Sequence, residues 1–216
     1  MQTRTKTLAI LALLSAMAYI LMVFIRIPVI LFLKYEPKDV VIAIGGFLFG
    51  PLAALAMSVV VSAVEMVTVS ETGFIGMTMN VISSCCFACS AALVYKKMRT
   101  LKGAMIGLIS GCILTTAVML LWNYLLTPVF MGSPRADVAA MLVPFFLPFN
   151  LIKGGLNASI AMLLYKPVRI ALQKSYMMPE PAGQAGSGKV NPGIIVVSLF
   201  IIATCVMLIL VFQGII

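Results

Sequence analysis

Residues 142–165 read LVPFFLPFNLIKGGLNASIAMLLY. The run is long and apolar enough to cross a bilayer as a helix, yet Lys153 stands near its middle. An ammonium at that depth costs about 2.5–3.5 kcal/mol on insertion scales, so it survives where it faces a polar cavity or a partner. Asn150 precedes it by three positions, a spacing that puts both side chains on one helical face. Two directional polar heads converge inside an apolar segment, which marks a candidate intramembrane binding site.

The rest of the chain agrees with this reading. Its 216 residues are 62% hydrophobic and only 10% charged, against about 25% charged in a soluble domain. Mean hydropathy is +1.16. The apolar runs lack the strict alternation of a β-barrel, so the fold class is an all-α integral membrane protein. The first run, 8–25, is long enough to span and no small-residue cleavage pattern follows it, so it reads as a helix rather than a signal peptide.

Net charge is +9, but the basic residues cluster beside predicted spans: Arg4 and Lys6, then Lys96, Lys97, Arg99 and Lys102, then Lys166, Arg169 and Lys174. That is the positive-inside pattern of a protein in a lipid bilayer, and it calls for no nucleic-acid partner. The chain has no histidine, which removes imidazole metal sites, haem ligation by imidazole and Ser–His or Cys–His nucleophiles. All five cysteines lie in apolar runs. Cys86-x-x-Cys89 sits within ISSCCFACSAALV, which reads as small, close-packing helix surface rather than a metal or redox site. No catalytic residue, metal or cofactor is expected.

Apolar segments at roughly 8–25, 40–50, 52–70, 75–95, 103–126 and 140–165 predict six helices. The second is too short for the ~30 Å hydrocarbon core at about 1.5 Å per residue. It ends in GGFLFGP (45–51), where glycines and a proline predict a tight turn into the third; this run lacks the Lys-Ser/Thr ending of a phosphate loop. Positive-inside places the N-terminus in the cytoplasm and puts 34–39, 68–73 and 127–139 outside. Residues 173–192 form a Gly/Pro-rich flexible linker, and 193–216 an additional transmembrane helix whose C-terminus lies outside. The expected organisation is a substrate-binding membrane domain over 1–172, the linker and the appended helix.

Polar residues in or beside the spans are the binding candidates: Lys153, Asn150, Asn123 and Asn80, with Asn80, Asn123 and Asn150 in the outer half of the bundle. Two amide donors and one acceptor per asparagine, with three donors on the ammonium, suit a neutral or weakly acidic ligand with imide-like edges. The alternative for each asparagine is interhelical packing, worth on average about 0.6 kcal/mol. For Lys153 it is a structural pair with Glu65. The first outer loop, LKYEPKD (33–39), reads either as a solvated turn or as a lid, with Tyr35 giving an aromatic face. Ala12-x-x-x-Ala16 in the first span is a small-residue face that lets another helix approach.

Three stretches, LKYEPKDVVIAIGGFLFGP (33–51), WNYLLTP (122–128) and LPFNLIKGGLNASIAMLLYKP (147–167), resemble the S components of energy-coupling factor (ECF) transporters, most closely the riboflavin-specific RibU type. The resemblance covers about residues 1–172. It implies a six-helix protein of a bacterial plasma membrane that binds riboflavin, or its phosphate FMN, from outside for ATP-driven uptake. It also implies that Asn123, Asn150 and Lys153 contact the isoalloxazine ring, with Met79, Phe74, Phe145 and Phe149 available for its apolar edge and Tyr35 and Glu36 for the ribityl chain. Ala12 and Ala16 would dock on the membrane-embedded T component, which joins two ABC ATPase subunits. Other vitamins (folate, pantothenate, a thiamin precursor) and a flavin-supplying role for an extracytoplasmic redox system are the alternatives. The appended helix is outside the usual six-helix pattern.

Overall fold

The computed structural model describes residues 2–31, 33–70, 72–174 and 192–215. Most of the expected linker, 175–191, lies outside the described residues. Helix α1 (Gln2–Phe24) leads into a hairpin of β1 (Ile27–Ile30) and β2 (Leu33–Tyr35). Then follow α2 (Lys38–Phe49), α3 (Pro51–Thr68), α4 (Gly73–Ser84), a π-helical turn (Cys85–Cys89), α5 (Ser90–Met98) and α6 (Leu101–Met131). A short α7 (Arg135–Met141) passes through a second π turn (Leu142–Phe146) into α8 (Leu147–Lys174), and α9 (Pro192–Phe212) closes the chain. Among the described residues, six helical stretches are long and apolar enough to cross a membrane, and α2 is not one of them.

The short α2 is the axis of the bundle. Ten consecutive residues, Lys38 to Phe47, are buried, so the helix is enclosed on all sides. It packs on α1, α3, α5 and α8. It shares its apolar core cluster with Ile10, Leu14, Met57, Phe87, Leu108 and Ala161. The predicted turn is there: Gly50 takes φ 96°, a left-handed value that disfavours a side chain, and Pro51 opens α3 at the first helical position, where its missing N–H costs nothing. Close approach of α5 to α6 also depends on glycine, since a Cβ on Gly107 would stand 2.6 Å from the Ala91 carbonyl oxygen.

The strands were not anticipated. Ile27 pairs with Tyr35 and Pro28 with Lys34, and an irregularity before Ile30 accompanies Leu31 at φ 52°. The loop after α1 is thus a two-stranded hairpin that lies against the bundle, with Val29, Leu33 and Tyr35 buried in a second apolar cluster. That cluster also holds Cys205 and Ile209 of α9, so the appended helix packs on the bundle along α8, with Cys205 and Ile201 beside Gly155. At its far end the Gln213 side-chain amide donates to the Pro28 carbonyl, which brings the end of α9 to the hairpin end of the bundle.

Candidate functional site

A cavity of about 330 Å³ opens at the hairpin end, within the size range of small-molecule sites. The hairpin supplies Leu33 and Lys34, and Glu36 follows it; α3 gives Glu65, α4 gives Ile75, Met79 and Asn80, α6 gives Trp122, Asn123, Leu126 and Thr127, and α8 gives Phe149 and Lys153. Arg26 lies on the rim between α1 and β1. The lining combines apolar groups, among them an indole, a phenyl ring and a thioether, with a set of directional polar groups.

Several polar groups of the lining belong to a network of buried ion pairs. Lys38, fully buried, sits with its ammonium 2.5 Å from Glu65 and 3.0 Å from Glu36. Arg26 bridges the same two carboxylates, at 2.7 Å to Glu36 and 3.7 Å to Glu65, and donates to the Val69 carbonyl. Asn80 donates at 3.0 Å to the Glu65 Oε1 that Arg26 also approaches, leaving Oε2 to Lys38. Burial alone would raise the Glu36 carboxyl, but the Lys38 ammonium, then Lys153 and Arg26, hold it below its ordinary 4.5. Charges this dry persist because each is paired and hydrogen-bonded; removing one partner typically costs about 3–5 kcal/mol.

Lys153 belongs to a second limb. Its partner is Asp39, at 3.2 Å, and not Glu65, which is occupied by Lys38, Arg26 and Asn80. Asp39 also accepts from the Ser84 hydroxyl at 2.5 Å and from the Asn157 amide at 3.5 Å. Asn157 in turn accepts from the Tyr35 hydroxyl at 3.1 Å. The carboxylate thereby holds the ammonium at the cavity wall while leaving it donors to offer a ligand.

Of the residues expected at the site, Asn80, Asn123, Lys153 and Glu36 line one cavity. Asn123 donates to Met119 O and accepts from Thr127, so its amide is already oriented. Asn150 is buried and donates to the Phe146 carbonyl at 2.8 Å, beside the wall rather than on it. Tyr35 is buried toward Asn157 and does not line the cavity. Met79 and Phe149 form apolar wall; Phe74, 73% exposed, and Phe145 do not.

Sequence reasoning missed Arg26, Lys38, Asp39 and Asn157. A signal existed for three of them. Asn157 falls four residues after Lys153 on the same face, and Lys38-Asp39 directly opens a wholly apolar helix. Ala12 and Ala16 are exposed on the outer face of α1, away from this cavity.

Comparison with known proteins agrees with the geometry. Residues 6–165 match the family model described as ECF transporter, substrate-specific component. The riboflavin transporter FmnP of Bacillus subtilis is 29% identical over 175 residues, covering 75% of this chain and 91% of that protein. The riboflavin transporter RibU of Staphylococcus aureus is 30% identical over 172 residues, covering 76% and 90%. A solved structure of the S component of a bacterial ECF transporter superposes with a TM-score of 0.67 at 29% identity, covering 79% of this chain and 99% of that one. The chain belongs to the family of substrate-specific components of ECF transporters, and is a multi-pass transporter subunit rather than an enzyme.

Proposed function

We propose that this chain is the riboflavin-binding S subunit of an ECF transporter, taking the vitamin into the hairpin-end cavity for ATP-driven uptake. The observation that carries the reading is the mixed lining of the cavity. Trp122, Met79 and Phe149 offer apolar and aromatic wall to a flat ring, while Asn80, Asn123 and Lys153 offer donors and acceptors to an edge of alternating N–H and C=O groups. The relatives named as riboflavin transporters support the same ligand. Arg26, Lys38 and Lys153 are already matched by carboxylates, which favours a neutral ligand over a phosphorylated one.

The mechanism follows from the layout. With the N-terminus in the cytoplasm of a bacterial cell, the hairpin and Glu36 face outward and close over the bound vitamin. Asn150, one turn before Lys153, reaches the ring once its bond to Phe146 O is exchanged. The exposed Ala12 and Ala16 give a T component a close-packing face on α1, and two ATPase subunits complete the complex. Residues 1–172 form the binding unit; α9 is an addition that packs on it. Purified protein should quench riboflavin fluorescence with micromolar or tighter affinity. Absence of quenching at micromolar riboflavin, in protein that melts cooperatively, would overturn the substrate.

A further inference from the structure

We propose that the cavity at the opposite end of the bundle is a binding site for a phosphate group, carried by an anionic phospholipid headgroup or a soluble phosphomonoester. This cavity holds about 430 Å³ between the α2–α3 turn, the end of α5 and the second half of α8. Lys96, Arg99 and Arg169 line it, and no carboxylate does so among the described residues. None of the three makes an ion pair with a described residue, in contrast to Arg26, Lys38 and Lys153 at the other end.

The chemistry of the wall is that of a phosphate pocket. Two guanidiniums supply planar, fixed donors and an ammonium supplies a mobile one, the set that pairs best with phosphate oxygens. The Tyr95 and Tyr165 hydroxyls lie 2.6 Å apart, so one donates to the other and the second O–H proton is left for an acceptor. Arg169 donates to the Tyr165 oxygen at 3.4 Å, which directs both groups to the same place. Phe47 packs against both tyrosine rings, with centroids 4.9 and 5.5 Å away, and gives the pocket a stiff apolar floor. The uncapped start of α3 at Gly50-Pro51-Leu52 adds positive partial charge to the same wall.

Positive-inside topology accounts for basic residues at this end, but not for their convergence with two hydroxyls on one concavity. The inference is independent of which vitamin is carried. Full-length protein in detergent is titrated with phenyl phosphate and inorganic phosphate by calorimetry. In parallel, protein from mixed micelles of phosphatidylglycerol and phosphatidylcholine is analysed by native mass spectrometry for retained lipid. Wild type should hold phosphatidylglycerol in preference to phosphatidylcholine, or bind phenyl phosphate; the arm that responds identifies the source. Arg99→Gln/Arg169→Gln should weaken that binding about tenfold or more, as expected for lost charged hydrogen bonds. Lys97→Gln, an equal loss of charge per site outside the cavity, should leave it unchanged. Riboflavin quenching and melting serve as folding controls, and Tyr165→Phe as a second variant with no charge change. No phosphate binding in either arm, or equal loss with Lys97→Gln, overturns the site.

Discussion

The two cavities use similar cations in opposite ways. At the hairpin end Arg26, Lys38 and Lys153 are each matched to Glu36, Asp39 or Glu65, and the positive charge serves to build and aim a wall. At the far end Lys96, Arg99 and Arg169 share a cavity lining with two tyrosines and a helix start, only Arg169 bonding a tyrosine oxygen, and their charge is uncompensated by any described carboxylate. The lesson is that a count of basic residues says little about ligand charge. What matters is whether counter-charge is already built in, because a matched cation offers hydrogen bonds whereas an unmatched one recruits an anion.

The largest expected effect breaks the matching itself. Lys38→Met leaves Glu65 and Glu36 short of their buried partner and should destabilise the protein by about 3–5 kcal/mol, read as a lowered melting temperature in detergent. Adding Glu65→Gln should restore more than half of that loss. Variants at the far end, such as Lys96→Gln, should shift melting little, since its cation has no buried carboxylate to strand.

A middle-sized effect separates binding from folding. Lys153→Met should weaken riboflavin binding by about 1.5–3 kcal/mol, the range for hydrogen bonds to a charged group, with a smaller change in stability because Ser84 and Asn157 still hold Asp39. Fluorescence titration beside thermal melting checks both. An unchanged affinity would reduce the Lys153–Asp39 pair to a structural tie.

The smallest effect uses pH. The Glu36 carboxyl is held below its ordinary 4.5, so its contribution is complete above that value and is lost as pH falls through its depressed folded value. Thermal stability should therefore be flat from neutral pH to about 5 and decline below about 4.5. Glu36→Gln should remove part of that acid step.

Much of the architecture was legible in the sequence because bilayer thickness and hydropathy fix span lengths, and GGFLFGP announces its own turn. Asn80, Asn123 and Lys153 were legible as candidates because polarity within an apolar run is conspicuous, whereas Glu36 entered only through the resemblance of its loop. Partners were not. Helical spacing tells which residues share a face, but whether Lys153 meets Glu65 or Asp39 depends on which helix packs opposite, and α2, read as a minor segment, turned out to be the axis. Lys38 and Asp39 were hidden by their place in a polar loop, which resembles a solvated turn until the hairpin folds over it. The hairpin's own strands, IPVI and LKY, are too short for alternation to show.

The π turn at Cys85–Cys89 has a bearing on how such a protein changes its cargo. A π turn carries an extra residue within an α-helical path, and one residue corresponds to about 100° of rotation. The stretch before it presents Met79 and Asn80 to one cavity, and the stretch after it presents Tyr95 and Lys96 to the other. The two faces are therefore indexed separately along a single span. Deleting one residue between 85 and 89 would rotate the ligand-facing half relative to the other without altering a single lining side chain, so specificity can be retuned by phase as well as by substitution.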